Sequence, residues 1–303
     1  FPGTTAIRCP NERDIFDGYA MYGNSNGQVG GTHLGNDGVW GMDYSGFGVS
    51  FRKSYFSFGN RITAITTGIR AKDSKNTHPL ATTLFQNSIT PESEFITLDG
   101  ESLKSFPNET TLSFEKPHWI IDHKQTGYLL PVGNDLLRLS SKPQSWRYMT
   151  DKFIVDPKQN PISGEVTYQN VRGKIKDLST IEKFYRPSEG NFALAWFDHG
   201  PRPDPASSVY TMVIKTTPDE MRKLAAHPDL TILRSDETAH IVHDLPGDIF
   251  GYTIYQPGDL RTADSPLRSC GEPCSLMIRR KDADLLLSLA YTSAGNAIPA
   301  EKE

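Results

Sequence analysis

From Gly46 to Tyr291 the chain repeats one pattern. Short runs rich in β-branched and aromatic residues alternate apolar with polar, and glycine, proline, asparagine or aspartate cuts each run off. A period of two belongs to strands, because successive side chains leave a strand on opposite faces. Phe47, Val49 and Phe51 keep one parity, whereas Phe56 and Phe58 fall on the other, so a bulge near Lys53-Ser54 is expected. Gly59-Asn60 supplies a turn, and the β-branched run Arg61–Ile69 should pair back. Further strands are expected at 81–86, 95–98, 110–114, 119–122, 128–131, 136–140 (continuing through Trp146), 191–197, 209–214, 230–233, 240–243, 249–255, 275–279 and 284–290. Residues 151–188 are poorer in pattern and read as loops and short strands. The 25 glycines and 21 prolines are spread over all 303 residues, as a fold of many strands and turns requires.

One helix interrupts the series. Thr217-Pro218-Asp219-Glu220 carries an N-cap hydroxyl, a proline at the first helical position and a glutamate at the third, which makes a capping box. Met221 and Leu224 give it an apolar face, and Pro228 limits its length. The expected class is all-β with one short helix: a large sandwich with long strands, or two stacked sheets of many strands each. Residues 1–45 read as an opening segment with a glycine-rich loop, and residues 46–303 as the sandwich.

That loop is Gly30–Met42, with five glycines among thirteen residues and with His33, Asn36, Asp37 and Trp40 between them. Glycine permits tight turns and close approach to a ligand. One reading is a folded-back loop presenting polar side chains beside an indole, and hence a site. The other is a glycine-rich hairpin with no chemistry. Arg52-Lys53 and Arg61 are the nearest dense cations, suited to carboxylate or sulfate groups, or else to a solvated strand face.

Elsewhere the sequence mostly excludes. A chain specialised for polyanions is usually basic overall, so a net charge of −4 gives no argument for a nucleic-acid partner and none is expected, while a local basic groove stays open. No apolar run approaches the roughly eighteen residues of a membrane span. No Walker-type or dinucleotide fingerprint is present, and no cofactor is implied. Cys9, Cys270 and Cys274 are too few and too scattered for a zinc site. The last two either close a small loop or remain free thiols near a turn. His240 and His243 have opposite strand parity and so cannot share a metal. His118 and His123 read as a cluster or as residues of an edge strand. Asp198-His199 ends a strong strand, as a general base beside a carboxylate or as a strand-end histidine bonded to a loop. The first residue is Phe, which suggests a chain that starts inside a longer protein.

Several blocks in order resemble the chondroitin and hyaluronate lyases, polysaccharide lyase family eight, most of all those of ABC type. They are Phe1-Pro-Gly-Thr-Thr5, Gly31-Thr32 leading to Gly41-Met42, Arg61-Ile62 with Gly68-Ile69, Thr82–Gln86 with Ile89-Thr-Pro91, Glu189–Phe192 with Ala195–His199, and Tyr255-Gln-Pro257. The resemblance implies a large antiparallel β-sandwich, a supersandwich, that follows an α-helical toroid, with the toroid absent from this chain. It also implies β-elimination on acidic polysaccharides and a secreted or periplasmic bacterial location. The toroid, as a domain or chain of the same enzyme, would be the partner and would carry most catalytic groups. The sandwich would add one acidic residue from the glycine-rich loop. Aligned without gaps, that position is Asn36, a departure from the family pattern, with Asp37 one residue away. The residues expected to carry catalysis are therefore Asn36, Asp37 and His33, with Trp40 and Arg52 binding substrate. The rival readings are a non-catalytic carbohydrate-binding or scaffold module, and a mutarotase-type sandwich enzyme acting alone.

Overall fold

The computed structural model describes residues 3–8, 28–46, 48–90, 96–103, 107–146, 166–167, 174–175 and 188–291. The first half holds β1 (Thr5–Ile7), β2 (Val29–Leu34), β3 (Asp37–Gly46), β4 (Val49–Phe58), β5 (Arg61–Ala71), β6 (Leu80–Ile89), β7 (Thr97–Leu98), β8 (Glu101–Ser102), β9 (Asn108–Leu112), β10 (His118–Ile121), β11 (Gly127–Leu130) and β12 (Leu136–Trp146). After the short ribbon β13 (Val166–Thr167) and β14 (Lys174–Ile175) come β15 (Ser188–Asp198), β16 (Ala206–Val213) and helix α1 (Pro218–Ala226). The last part is β17 (Leu230–Ser235), β18 (Ala239–Asp244), β19 (Ile249–Ile254), β20 (Gly258–Asp259), β21 (Ser269–Cys270), β22 (Cys274–Lys281) and β23 (Asp284–Tyr291). Cys9, Phe47 and most of 147–187, on which expectations were also placed, lie outside the described residues.

A nine-stranded sheet, ordered β2-β3-β4-β5-β16-β11-β10-β7-β8, forms the middle layer. One five-stranded sheet, β1-β6-β15-β12-β9, packs on one face, and another, β17-β18-β19-β22-β23, packs on the other. The ladders between these strands are antiparallel, as the resemblance implied.

The middle position of β4 explains its two parities and corrects the expected bulge at Lys53-Ser54. Pairing with β3 runs unbroken from Gly46↔Val49 to Gly38↔Ser57. Val49 and Phe51 pack against Leu80 and Ala206 on one side, whereas Phe56 and Phe58 pack against Val242, Ile249 and Met277 on the other. The strand is buried on both faces, at different points along its length. The irregularity lies in its pairing with β5, between Ser50 and Arg52, opposite Gly68 at φ +65°. A non-glycine residue is strained at such a φ.

Helix α1 starts as its capping box predicts. Thr217 accepts a hydrogen bond from the Glu220 amide at 3.3 Å. Glu220 itself turns to the Thr216 hydroxyl at 2.9 Å, and Met221 is fully buried against Trp119, Ile121 and Val213. β10 lies between β11 and β7, so His118 is not on an edge strand; its Nδ1 meets Asp99 at 2.6 Å.

Candidate functional site

The glycine-rich stretch is a hairpin. β2 and β3 pair from Val29↔Met42 to Leu34↔Asp37, leaving Gly35-Asn36 as a two-residue turn. Gly35 has φ +69°, which suits the first turn position of a II′ hairpin. Gly31 and Gly41 are needed for space: a Cβ on Gly31 would meet the Val39 carbonyl oxygen at 2.5 Å, and one on Gly41 would meet Thr253 Cγ2 at 2.2 Å. The glycines therefore make a turn and two close approaches, and the strands of the middle sheet begin well before residue 46.

Strand alternation divides the expected site residues. Directly opposed residues share a face, so Gly31, His33, Trp40 and Tyr55 lie on one side. Trp40 is 37% exposed, with its ring centroid 5.8 Å from that of Tyr55. His33 is exposed, and its Nδ1 lies 3.3 Å from the Gly35 carbonyl oxygen. A carbonyl only accepts, so in this contact Nδ1 carries the hydrogen, and Nε2 takes no part in it. Asn36 stands exposed at the turn.

Asp37 and Arg52 lie on the opposite face, toward the β17–β23 sheet. Asp37 accepts from Arg279 at 2.6 Å and from the Gly59 amide at 3.1 Å, fastening the hairpin tip to β22 and to the β4–β5 turn. Thr32 meets Ser288 of β23 at 2.6 Å. Arg52 pairs with Asp43 at 3.0 Å, donates to the Glu237 carbonyl, and sits 5.5 Å from the Tyr255 ring. The structure thus brings His33, Asn36 and Trp40 together on an accessible surface, and it engages Asp37 and Arg52 in the frame behind them.

A second constellation has the form of a catalytic triad without access. His199 Nδ1 meets Asp135 at 2.6 Å, and its Nε2 meets the Thr82 hydroxyl at 2.9 Å. The carboxylate is Asp135, not the adjacent Asp198, which pairs with Arg138 at 2.6 Å. The network runs on from Thr82 to Thr5 at 2.8 Å and from Thr5 to Lys53 Nζ at 2.6 Å. The His199 and Thr82 side chains are buried, so no substrate reaches them, and the network ties β1 to β4, β6 and the end of β15. Burial pushes the Lys53 amine down to about 7 and the His240 imidazole down to about 3. His240 is held between Ser54 at 2.7 Å and Thr67 at 2.9 Å, an uncharged polar link between two layers. His243, of opposite parity, stacks on Phe250 on the far face. Among the described residues no three His, Cys, Asp or Glu side chains converge as metal ligands would.

Sequence reasoning missed Tyr55, Asp135 and Arg279. Only Tyr55 left a signal, its parity on β4. The other two meet partners 64 and 242 residues away.

The family description "Polysaccharide lyase family 8, super-sandwich domain" matches residues 1–225. The chondroitin sulfate ABC endolyase of Proteus vulgaris is 28% identical over 242 residues, covering 78% of this chain and 20% of that protein. The ABC exolyase of the same organism is 25% identical over 303 residues, 95% of this chain and 26% of that protein. The chain therefore spans about a fifth to a quarter of these relatives' length. Paenibacillus xanthan lyase superposes with a TM-score of 0.72 at 19% identity, over 95% of this chain and 25% of that one. A Streptomyces coelicolor A3 chondroitin AC lyase, solved with chondroitin sulphate, gives 0.66 at 18% identity, over 96% and 32%. At such identities the solved structures speak for the fold alone. No helix among the described residues is long and apolar enough to cross a membrane.

Proposed function

Because the chain belongs to polysaccharide lyase family 8, through its super-sandwich domain, we propose that it is the β-rich part of an enzyme that cleaves uronic-acid-containing glycosaminoglycans by β-elimination. Chondroitin, dermatan and hyaluronan are the polymers to test. The reaction neutralises the uronate carboxylate, removes the C5 proton and protonates the departing O4. Most of these groups belong to a helical toroid, and the β2–β3 hairpin forms one wall of the cleft beside it. A secreted or periplasmic location fits such a substrate.

The observation that carries this reading is the exposed face of the hairpin. His33 Nε2 is free to exchange a proton with substrate or with a group of the opposite wall. Asn36 cannot act as a base, but its amide donates to a carboxylate or a sugar hydroxyl. Trp40 offers an indole on which a sugar ring can stack. Asp37 and Arg52 hold this face in place from behind, Asp37 through Arg279 and Arg52 through Asp43.

The test is release of unsaturated uronate ends by the full-length protein that contains this chain. His33→Ala should lower turnover by about 10²-fold or more, the usual scale for a proton-handling group. Asn36→Ala should act in the same direction, with urea midpoints unchanged. Wild-type rates in both variants would make the hairpin a scaffold. Polysaccharide binding without any elimination by the full-length wild type would favour the binding-module reading instead.

A further inference from the structure

We propose that Cys270 and Cys274 form a reversible dithiol–disulfide site, with Cys270 attacking and Cys274 resolving, that fastens the 255–273 excursion to β22. The site does not depend on the proposed lyase activity. The two sulfurs lie 3.6 Å apart, and Cys270 also meets the Glu272 carbonyl oxygen at 3.1 Å. A carbonyl only accepts, so the Cys270 S–H points to it, and the Cys270 sulfur is left to receive the Cys274 S–H.

This arrangement makes the two thiols unequal. Cys270 is half-exposed, and when it loses its proton a donor already faces the thiolate. Cys274 is 1% exposed, and burial, reinforced by Cys270, pushes its thiol up to about 12. The thiolate is the nucleophile in disulfide exchange, so the accessible Cys270 reacts first.

The oxidant is a small-molecule disulfide such as oxidised glutathione. The Cys270 thiolate attacks one of its sulfurs, the glutathione S–S bond breaks, and one glutathione thiolate leaves and takes up a proton. The Cys274 sulfur then attacks Cys270, and the second glutathione thiolate departs and takes up the Cys274 proton. Two protein thiols are oxidised, and one glutathione disulfide is reduced to two thiols. The sulfurs must close from 3.6 Å to about 2 Å. Only Gly271, Glu272 and Pro273 separate the two cysteines, so the bond would close a very small ring.

The bond would act on a cover. Between β19 and β22 the chain leaves the outer sheet, and Leu260 and Leu267 pack with Cys274, Leu276 and Ile278 over its outward face. β20 and β21 pair within this excursion, and Cys270 lies on β21. Oxidation would join the return of the excursion covalently to β22.

The experiment uses the full chain in a Cys9→Ser background, incubated with oxidised glutathione, then unfolded and alkylated without reduction. The expected result is no labelled thiol and an intact mass lower by two hydrogens, with both thiols labelled after reduction. Adding Cys270→Ser, a half-exposed position, should leave Cys274 free and labelled. Two labelled thiols after oxidation, or a lasting glutathione adduct on Cys270 beside a free Cys274, would overturn the pairing. Amide exchange across 255–273 should slow on oxidation, and unchanged exchange would overturn the fastening.

Discussion

Replacing Lys53 by Met should flatten the pH dependence of stability above neutrality. The Lys53 ammonium is buried and donates to the Gly3 carbonyl and the Thr5 hydroxyl, both at 2.6 Å. Burial lowers its pKa from 10.5 to about 7. Between those values the unfolded chain binds one more proton than the folded chain, so stability rises with pH through that window. The full difference corresponds to about 5 kcal/mol, charged against the fold below pH 7 and recovered by pH 10.5. Between pH 7 and pH 9 the recovery amounts to about 2 kcal/mol. Methionine has no such term and removes one donor each from Gly3 O and Thr5 Oγ1, which keep Tyr55 and Thr82 as partners, at about 0.5–1.5 kcal/mol per lost bond. The variant should therefore be more stable than wild type near pH 6, and that advantage should shrink by about 2 kcal/mol by pH 9. Urea unfolding of both proteins at pH 6, 7, 8 and 9 measures this, because all other titrations cancel in the difference. A difference that stays flat within about 0.5 kcal/mol would refute the buried-ammonium argument.

Asp37→Asn removes the carboxylate that Arg279 and the Gly59 amide share, and should cost about 1–3 kcal/mol in urea unfolding. Gly31→Ala puts a methyl group against the Val39 carbonyl oxygen and the Trp40 backbone; it should destabilise by about 1–3 kcal/mol and shift Trp40 fluorescence. His240, held uncharged down to about pH 3 against an ordinary 6.5, contributes stability that is lost as pH falls from 6.5 towards 3. A His240→Gln variant should lose that part of the acid dependence, as circular dichroism along an acid titration would report.

The strands were legible because alternation is written locally, and so was the helix, whose capping box at 217–220 needs no distant partner. What alternation cannot tell is how many layers press on a strand. Val49 and Phe51 against Phe56 and Phe58 looked like a slipped register, and the true cause is a second sheet 180 residues further along. The glycines of 30–42 misled for a related reason. Gly31 and Gly41 are set by what lies against them, the Trp40 strand and Thr253, and only Gly35 is set by its own dihedral. Among the site residues, His33 and Trp40 share a face by simple parity, and a strand reading of this stretch would have paired them from the sequence. That Asp37 and Arg52 are occupied depends on Arg279 and Glu237, which no local pattern announces.

The rear of the hairpin has a consequence for how the protein is made. Asp37 waits for Arg279, 242 residues later, and Thr32 waits for Ser288, 256 residues later. At roughly 5–20 residues per second, synthesis of the intervening chain takes on the order of ten to fifty seconds. For that time Leu34, Val39, Phe56 and Phe58 have no cover on the side that Val242, Ile249 and Met277 will occupy. The newborn chain therefore exposes an apolar half-built sheet, a surface prone to aggregation, until β23 emerges. A gene trimmed after residue 225, where the family description stops, would fix the protein permanently in that unfinished state.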